Sequence, residues 1–281
     1  TGFIALILPT LTNANFAAVA HGLTEVLREA DYHLLIAYTE YDMAEEERQL
    51  RNLLARRPEA IVLTGAVHRR TLSRLLIAAD IPIIEIADLP QRPIEHAIGF
   101  SNYQVGRTAA RYLLNRGFRK IGAVGGSNVG EVIDHRGEER MRGFEEELEL
   151  SGVSADRVLR HGQAPVSFSH GATAMGELLR LAPDVEAVFA VSDLSAVGVV
   201  MECQRRGIRI PEEISVIGFG GFEIGKEINP ALTTIHVDFN ALGQRTGQMI
   251  LDLLTNGERD TTHIVDVGLR IVERDSVGRR S

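Results

Sequence analysis

Apolar segments alternate with helical patterns along nearly the whole chain, and this alternation limits the fold more than any other feature. Ten segments are rich in aliphatic and β-branched residues: Phe3–Leu8, His33–Tyr38, Ala60–Thr64, Pro82–Ile86, Ala97–Phe100, Lys120–Gly125, Glu186–Ser192, Ile214–Phe219, Leu232–Val237 and His263–Val272. Helical patterns fill most gaps, over residues 15–30, 42–56, 68–79, 102–116, 135–151, 168–182, 193–206 and 239–255. Strands that are apolar along their whole length are typical of parallel sheets covered on both faces. The sequence therefore predicts an α/β fold with doubly wound sheets and right-handed crossovers.

The number of strands favours two lobes over one. A single sheet of ten strands is large for a chain of 281 residues. A break near Gly99–Asn102 divides the chain without any Gly/Ser-rich or Pro-rich linker. We therefore expect two close-packed lobes that share crossover segments.

Composition argues against several classes of protein. The formal net charge of −8, without a basic stripe, argues against DNA binding by this chain alone. The single cysteine, Cys203, excludes an internal disulfide, as is usual in a reducing cytoplasm. No apolar run approaches the roughly 20 residues that span a bilayer, and Phe3–Leu8 lacks the flanks of a signal peptide. We expect a cytoplasmic protein without membrane association, cut from a longer chain because its first strand begins almost at Thr1.

The stretch from Pro211 to Asp238 is the strongest candidate for a binding site. A buried-type strand, Ile214–Phe219, runs into the turn Gly220-Gly221, and a second β-branched run follows. Small molecules bind open α/β sheets just beyond the carboxyl ends of strands. The glycine turn occupies such a position.

Familiar catalytic and metal-binding motifs do not occur in the sequence. Val124–Gly130 is glycine-rich but lacks the Gly-Lys-Ser/Thr ending of a phosphate-binding loop. The nine histidines and Cys203 have no spacing suited to a metal. Nothing in the pattern organises a nucleophile, a base and an orienting group. We therefore expect no enzyme activity, no metal and no cofactor.

Six short segments occur in an order that indicates a family. They are Ile4–Pro9 followed by Asn15-Phe16, Gly99–Asn102, Val105-Gly106, Arg140–Phe144, Ser192–Gly198 and Pro211–Asp238. Together they resemble the lactose/galactose-repressor (LacI/GalR) family of regulators over essentially the whole chain. The frame of the last segment, PEEISVIGF and NPALTTIHVD, is its most specific part.

The resemblance implies an architecture and a set of partners. It implies two Rossmann-like lobes joined by three crossovers, the type I periplasmic-binding-protein-like fold, with an effector in the cleft. The expected lobes are 1–99 plus 239–262 and 100–238 plus 263–281. It also implies a cytoplasmic homodimer or tetramer that binds operator DNA only through an N-terminal helix-turn-helix headpiece, which this sequence lacks.

The position of Arg140 on its predicted helix agrees with the role that the resemblance assigns. Met141, Phe144 and Leu148 form one apolar stripe. At about 100° per residue, Arg140 lies about 70° from the centre of that stripe and Arg142 about 130°. We therefore expect Arg140 at the edge of the buried face and Arg142 nearer solvent.

The chemistry of Arg140 suits the ligand of a sugar-sensing protein. A planar guanidinium can bind a carboxylate or neighbouring hydroxyls in a bidentate manner. The alternative is a surface ion pair with Glu138 or a nearby acid, because such pairs are common on helices.

The glycine turn departs from the family pattern. The family often has an aspartate pair after the aromatic residue, whereas this chain has Gly220-Gly221 after Phe219. The change removes acceptors for sugar hydroxyls and negative charge that would repel an anion. The backbone N–H groups of both glycines could then face the ligand. Equally, glycine could be needed there only for a tight turn.

Further details resemble the gluconate-repressor branch of the family and point to a sugar acid. They are Leu63–Gly65 with His68, Glu85–Pro90, Gly99–Asn102 and the Gly220-Gly221 turn. Glu85 and Asp88 could accept ligand hydroxyls or could stabilise their own loop. Phe16 and Phe189 would form apolar wall, although Phe189 has the pattern of strand core. The full set of predicted ligand-binding residues is Asn15, Phe16, Thr64, His68, Glu85, Asp88, Asn102, Arg140, Phe189, Ser192, Asp193, Gly220 and Gly221.

These features predict the sensor and dimerisation core of a transcriptional regulator. This core would bind a sugar or sugar acid such as gluconate. One alternative is a periplasmic-type sugar-binding protein of a transport system, which would be a monomer. The other is an α/β enzyme, which would need a nucleophile and a base within hydrogen-bond reach in an open site.

Overall fold

The computed structural model describes residues 2–257 and 259–280. The chain divides into two compact units, described below as the first and the second unit. The first comprises Thr1–Ser101, Gly130–Ile133 and Asp238–Gly268, and the second comprises Asn102–Val129, Asp134–Val237 and Leu269–Ser281. The chain thus passes between units at residues 101–102, 237–238 and 268–269, and the short segment 130–133 is also part of the first unit.

The described residues form twelve strands and nine helices. In chain order, β1 to β12 are Phe3–Leu8, His33–Tyr38, Ala60–Thr64, Ile83–Ile86, His96–Gly99, Ile121–Ser127, Val158–Gln163, Ala187–Ala190, Ser215–Gly220, Thr233–His236, Ile264–Asp266 and Arg270–Val272. The helices α1 to α9 are Ala14–Glu29, Met43–Leu54, Arg70–Ala79, Asn102–Asn115, His135–Leu150, Phe168–Leu181, Asp193–Arg205, Ile224–Glu227 and Phe239–Asn256.

The first unit is built on one parallel sheet in the order β11-β5-β4-β3-β1-β2. Its strands are buried along most of their length, and Ile61, Leu63 and Leu76 belong to its core. The strand order reverses between β1 and β3. In such sheets the crevice beyond the carboxyl ends at the reversal is the usual ligand position.

The second unit repeats this design with one difference. Its order is β12-β10-β9-β8-β6-β7, and all neighbours are parallel except β12, which pairs antiparallel with β10. The order reverses between β6 and β8. The carboxyl end of β8 leads through Val191 into the first turn of α7, so this corner is the second unit's candidate ligand position.

The predicted α/β class and doubly wound sheets are confirmed, and the eight predicted helices all form. Glycines follow three of them as predicted, with φ of +88° at Gly117, +71° at Gly152 and +70° at Gly207. Among the described residues, no helix has both the length and the apolar character that a membrane span requires.

Two predictions about strands were wrong. β7 was missed because it is a half-exposed edge strand whose Arg160, His161 and Gly162 interrupt any apolar run. The single predicted run 263–272 is two strands: β11 pairs with β5 in the first unit and β12 with β10 in the second. A positive φ of +73° at Gly268 separates them. The first unit therefore includes residues 263–268, which we had expected in the C-terminal lobe.

Candidate functional site

Arg140 is buried at the reversal point of the second sheet. Its Nε donates a 3.0 Å hydrogen bond to the carbonyl oxygen of Val191, just beyond β8. Its Nη1 donates a 2.6 Å hydrogen bond to Oδ1 of Asn102, and its guanidinium carbon lies 4.6 Å from the ring centroid of Phe219. These contacts fix both the position and the plane of the cation at the carboxyl ends of the strands.

The two arginines of α5 differ as predicted. Arg140 is 8% exposed, whereas the side chain of Arg142 is 47% exposed and pairs with Glu139 and Glu146. The alternative partner for Arg140, Glu138, binds Arg160 instead. The helical periodicity of the sequence therefore identified the buried arginine correctly.

Close packing of two helices holds Asn102 beside Arg140. A Cβ on Gly106 of α4 would overlap the carbonyl oxygen of Arg140, and a Cβ on Gly143 of α5 would overlap that of Tyr103. The two helices are therefore in backbone contact. This explains physically why an Arg-x-x-Gly pattern accompanies the site: the glycine sets the helix spacing at which Asn102 can reach the guanidinium.

Both carboxylate oxygens of Asp193 accept hydrogen bonds from other residues of the second unit. Its Oδ2 accepts from the N–H groups of Gly221 and Phe222, both at 2.9 Å, and its Oδ1 accepts from Oγ1 of Thr234 at 2.7 Å. Asp193 has no exposed surface. Burial raises the pKa of Asp193 to about 6, against the opposing effect of these hydrogen bonds. The side chain thus anchors the glycine turn to α7.

This anchoring corrects one expectation about the turn. Gly220 and Gly221 have φ of +125° and +75°, values that favour glycine. The N–H of Gly221 points to Asp193 rather than outward, so it cannot also donate to a ligand. The expectation that the backbone N–H groups of both glycines face the ligand is therefore wrong for Gly221.

The two other predicted residues of this unit have structural contacts. Phe189 is fully buried and stacks on Phe144 with a centroid distance of 5.1 Å, so it belongs to the core. Ser192 caps α7, because its Oγ accepts from the N–H of Leu194 at 3.3 Å.

In the first unit, His68 lies between two carboxylates. Its Nδ1 is 2.9 Å from Oε1 of Glu46 and its Nε2 is 3.3 Å from Oε1 of Glu85. Burial by itself lowers the pKa of His68, but the hydrogen bonds to Glu46 and Glu85 outweigh it and raise the pKa to about 9. His68 is therefore a cation at neutral pH, held between the carboxyl groups of Glu46 and Glu85.

Three further predicted residues of the first unit lie near the carboxyl ends of its strands. Glu85 is 1% exposed and also accepts from the N–H of Ile94 at 2.7 Å. Asp88 accepts from the N–H of Leu89 at 2.9 Å, the loop-stabilising alternative. Thr64, at the end of β3, donates to the carbonyl oxygen of Ile7 at 2.9 Å.

Asn15 and Phe16 lie in the first turn of α1, which follows β1. The N–H of Asn15 donates to Oδ1 of the capping residue Asn13 at 2.9 Å, and Phe16 is buried. Both residues are thus at the reversal point between β1 and β3.

A serine–histidine pair also occurs, and the sequence pattern had not indicated it. Nδ1 of His170 is 2.8 Å from Oγ of Ser195, and its Nε2 is 2.8 Å from the carbonyl oxygen of His161. Ser195 has no exposed surface, and a Cβ on Gly171 would overlap its carbonyl oxygen. The pair therefore joins α6 to α7 without access for a substrate.

Within residues 2–257 and 259–280, no cluster of three or more His, Cys, Asp or Glu side chains could hold a metal ion. The sequence reasoning missed Val191, Phe219, Thr234 and Glu46 as partners of the site. Of these, only Thr234 carried a usable signal, as a polar residue within a strand predicted to be buried.

Comparisons with known proteins agree with the observed fold. Residues 110–277 match the family model described as a periplasmic binding protein-like domain. The HTH-type transcriptional regulator GntR of Pseudomonas aeruginosa is 31% identical over 274 residues, which is 97% of this chain and 78% of that protein. The HTH-type transcriptional regulator IdnR of Escherichia coli is 30% identical over 270 residues, 95% of this chain and 79% of that protein.

Solved structures of transcriptional regulators are also similar to this chain. A LacI-family transcriptional regulator from Silicibacter pomeroyi has a TM-score of 0.91 and 38% identity, covering 98% of this chain and 99% of that one. The transcription regulator GntR from Chromobacterium violaceum has a TM-score of 0.90 and 29% identity, covering 98% of each chain. All four of these similar proteins are transcriptional regulators.

Proposed function

Because this chain belongs to the LacI/GalR family of transcriptional regulators, we propose that it is the effector-sensing and dimerisation core of a repressor whose effector is a sugar acid such as gluconate. No chemistry on the effector is involved. The family's regulators respond to a small molecule and bind DNA, and the proposal concerns which molecule this chain senses.

The placement of Arg140 carries the proposal. A buried guanidinium is costly unless its donors are satisfied, and here Asn102 and Val191 orient it at the carboxyl ends of the second sheet. A fixed, planar cation at that position suits a carboxylate, which it can bind through two parallel hydrogen bonds.

The glycine turn supports an acid over a neutral sugar. Family members that have acids after the aromatic residue have acceptors for hydroxyl groups there. In this chain Gly220-Gly221 has no side-chain carboxylate, and the nearby carboxylate of Asp193 is buried with three donors. Less negative charge near an incoming carboxylate favours its binding.

For the first unit we propose contacts with the rest of the ligand. Asn15, Phe16, Thr64 and the charged His68 would bind the polyhydroxyl part. Glu85 would act mainly by holding His68, and Asp88 by fixing its own loop, since each carboxylate already accepts a backbone N–H.

Effector binding would shift an equilibrium between two arrangements of the core, with a coupling free energy of about 1–3 kcal/mol to DNA binding. The proposed functional form is a cytoplasmic homodimer or a tetramer. Gel filtration with light scattering tests this form. A monomer at micromolar concentration would favour a transport-type sugar-binding protein instead.

Isothermal titration calorimetry of this chain tests the ligand. We expect gluconate and related sugar acids to bind and neutral hexoses to bind far more weakly. Arg140→Ala should remove most of the affinity, and Arg142→Ala on the same helix is the matched control. Binding of hexoses without binding of acids would overturn the ligand class, and unchanged affinity of Arg140→Ala would overturn the role of this arginine.

A further inference from the structure

We propose that His236 contacts the acid group of the effector and sets the preference for an acid, and that Gly221 is glycine in order to leave room for this imidazole. The proposal rests on the function proposed above and names a residue of the same site. It assigns the acid preference to a specific side chain in place of the missing aspartates.

His236 lies beside the glycine turn. It is the last residue of β10, and the parallel register places it opposite Gly220, the last residue of β9. Both strands therefore end together at the edge of the sheet where ligands bind. The ring of Phe219, under the guanidinium of Arg140, immediately precedes the turn. Side chains alternate along a strand, so Arg140, over Phe219, and His236, opposite Gly220, approach this edge of the sheet from opposite faces.

The imidazole occupies the space that a side chain at position 221 would need. A Cβ built on Gly221 would overlap Nδ1 of His236 and lie 3.0 Å from its Cγ and 3.1 Å from its Cε1. The φ of +75° disfavours most residues there, but aspartate tolerates this region better than most. Space, and not only backbone conformation, therefore excludes an aspartate while His236 is in place.

The hydrogen bonds of the turn also favour His236 as a donor to the ligand. The N–H groups of Gly221 and Phe222 both bind Asp193. These two N–H groups therefore do not donate to a ligand carboxylate, and a side chain beside the turn can do so instead. An imidazole has at least one N–H donor in every protonation state, whereas the aspartate that it excludes has only acceptors when ionised.

The pairing of glycine and histidine therefore defines a ligand class. A carboxylate can accept from His236 and would be repelled by an acid at position 221. A neutral polyol has no group that needs the imidazole and would gain from an acceptor there. We infer that the class is an aldonic or related acid.

Binding of gluconate and of sorbitol, which replaces the carboxylate of gluconate by a CH2OH group, tests this directly. His236→Ala should weaken gluconate about 10- to 100-fold, the loss expected for one hydrogen bond to a charged group, and leave sorbitol unchanged. His236→Gln, which keeps a donor, should lose less. His161→Ala, a half-buried histidine on β7 of the same sheet, is the control and should bind both as the unaltered chain does.

A stability experiment without ligand tests the geometry. Gly221→Ala should lower the unfolding midpoint more in the unaltered chain than in a His236→Ala background, because the second substitution removes the overlap. Gly126→Ala should give the same small effect in both backgrounds, since a Cβ there meets only ordinary contacts, the nearest at 3.7 Å.

The outcomes separate this inference from the proposed function. If the unaltered chain binds gluconate and His236→Ala binds it equally well, the role of His236 is overturned and the sugar-acid proposal stands. If the unaltered chain does not bind gluconate or other sugar acids, both are overturned. Equal effects of Gly221→Ala in the two backgrounds would overturn the steric argument, whatever the ligand.

Discussion

Oδ1 of Asn102 and Nη1 of Arg140 are 2.6 Å apart, so the first residue of α4 orients the guanidinium on α5. Asn102 is 1% exposed, and its side chain reaches the arginine only because the two helices touch through Gly106 and Gly143. The candidate site of the second unit is therefore a property of helix packing as much as of the arginine itself.

Asn102→Ala should weaken gluconate binding about tenfold or more, since a hydrogen bond to a charged group contributes roughly 1.5–3 kcal/mol. Without its acceptor, the guanidinium loses its fixed orientation. Calorimetry measures the loss. Asn115→Ala, at the exposed end of the same helix, is the control. Equal affinity of Asn102→Ala and the unaltered chain would contradict the orienting role.

Gly143→Ala should destabilise the second unit by about 1–3 kcal/mol or more, as overpacking does in closely packed regions. The added methyl group would overlap the carbonyl oxygen of Tyr103, and a backbone atom cannot turn aside as a side chain can. Urea denaturation gives the free energy of unfolding. Arg142→Ala, one residue earlier on the exposed side of α5, should have an effect within about 0.5 kcal/mol.

Replacing Asp193 should separate its structural role from its charge. Asp193→Ala leaves two buried N–H groups and one hydroxyl without their acceptor, and each such group costs about 1–3 kcal/mol. Asp193→Asn should retain most of the stability, because its amide oxygen can accept both N–H groups while its NH2 group donates to Thr234.

Chemical denaturation of both Asp193 variants checks this order. Asp156→Ala, at a carboxylate that is 65% exposed, is the control for loss of an acid. An asparagine variant as unstable as the alanine variant would mean that the negative charge, and not the hydrogen-bond pattern, holds the turn.

His68 should make stability depend on pH. Its folded-state pKa of about 9 exceeds the ordinary 6.5, so the folded chain holds the proton more tightly than the unfolded chain. The resulting stabilisation is complete below pH 6.5 and is lost as the pH rises through 9. Its upper limit is about 3 kcal/mol, from 1.36 kcal/mol per pKa unit.

Urea denaturation at pH 6 and pH 9.5 measures this difference. His68→Gln should abolish most of it, whereas His21→Gln, on an exposed face of α1, should not. A pH dependence that persists in His68→Gln would mean that another group is responsible.

Regular patterns in the sequence were sufficient for most of the architecture. The near-continuous apolar runs predicted the strands of two parallel sheets, because strands covered by helices on both faces have few polar positions. The 3.6-residue period of α5 was enough to distinguish buried Arg140 from exposed Arg142. The strand β7 was not predicted, because an edge strand is half solvated and does not need an apolar run.

The contacts within the candidate site could not be predicted from such patterns. The sequence by itself determined the α/β class, the helix positions and the residues that resemble a sugar-sensing regulator, since these follow from local periodicity and short motifs. Only the tertiary structure decided that Asp193 accepts hydrogen bonds from the glycine turn. It also decided that Glu85 and Glu46 both contact His68, and that His236 occupies the space that a side chain at position 221 would need. Those facts depend on which strands become neighbours, and residues 28, 17, 22 and 15 positions apart in the chain carry no local signal of their contact.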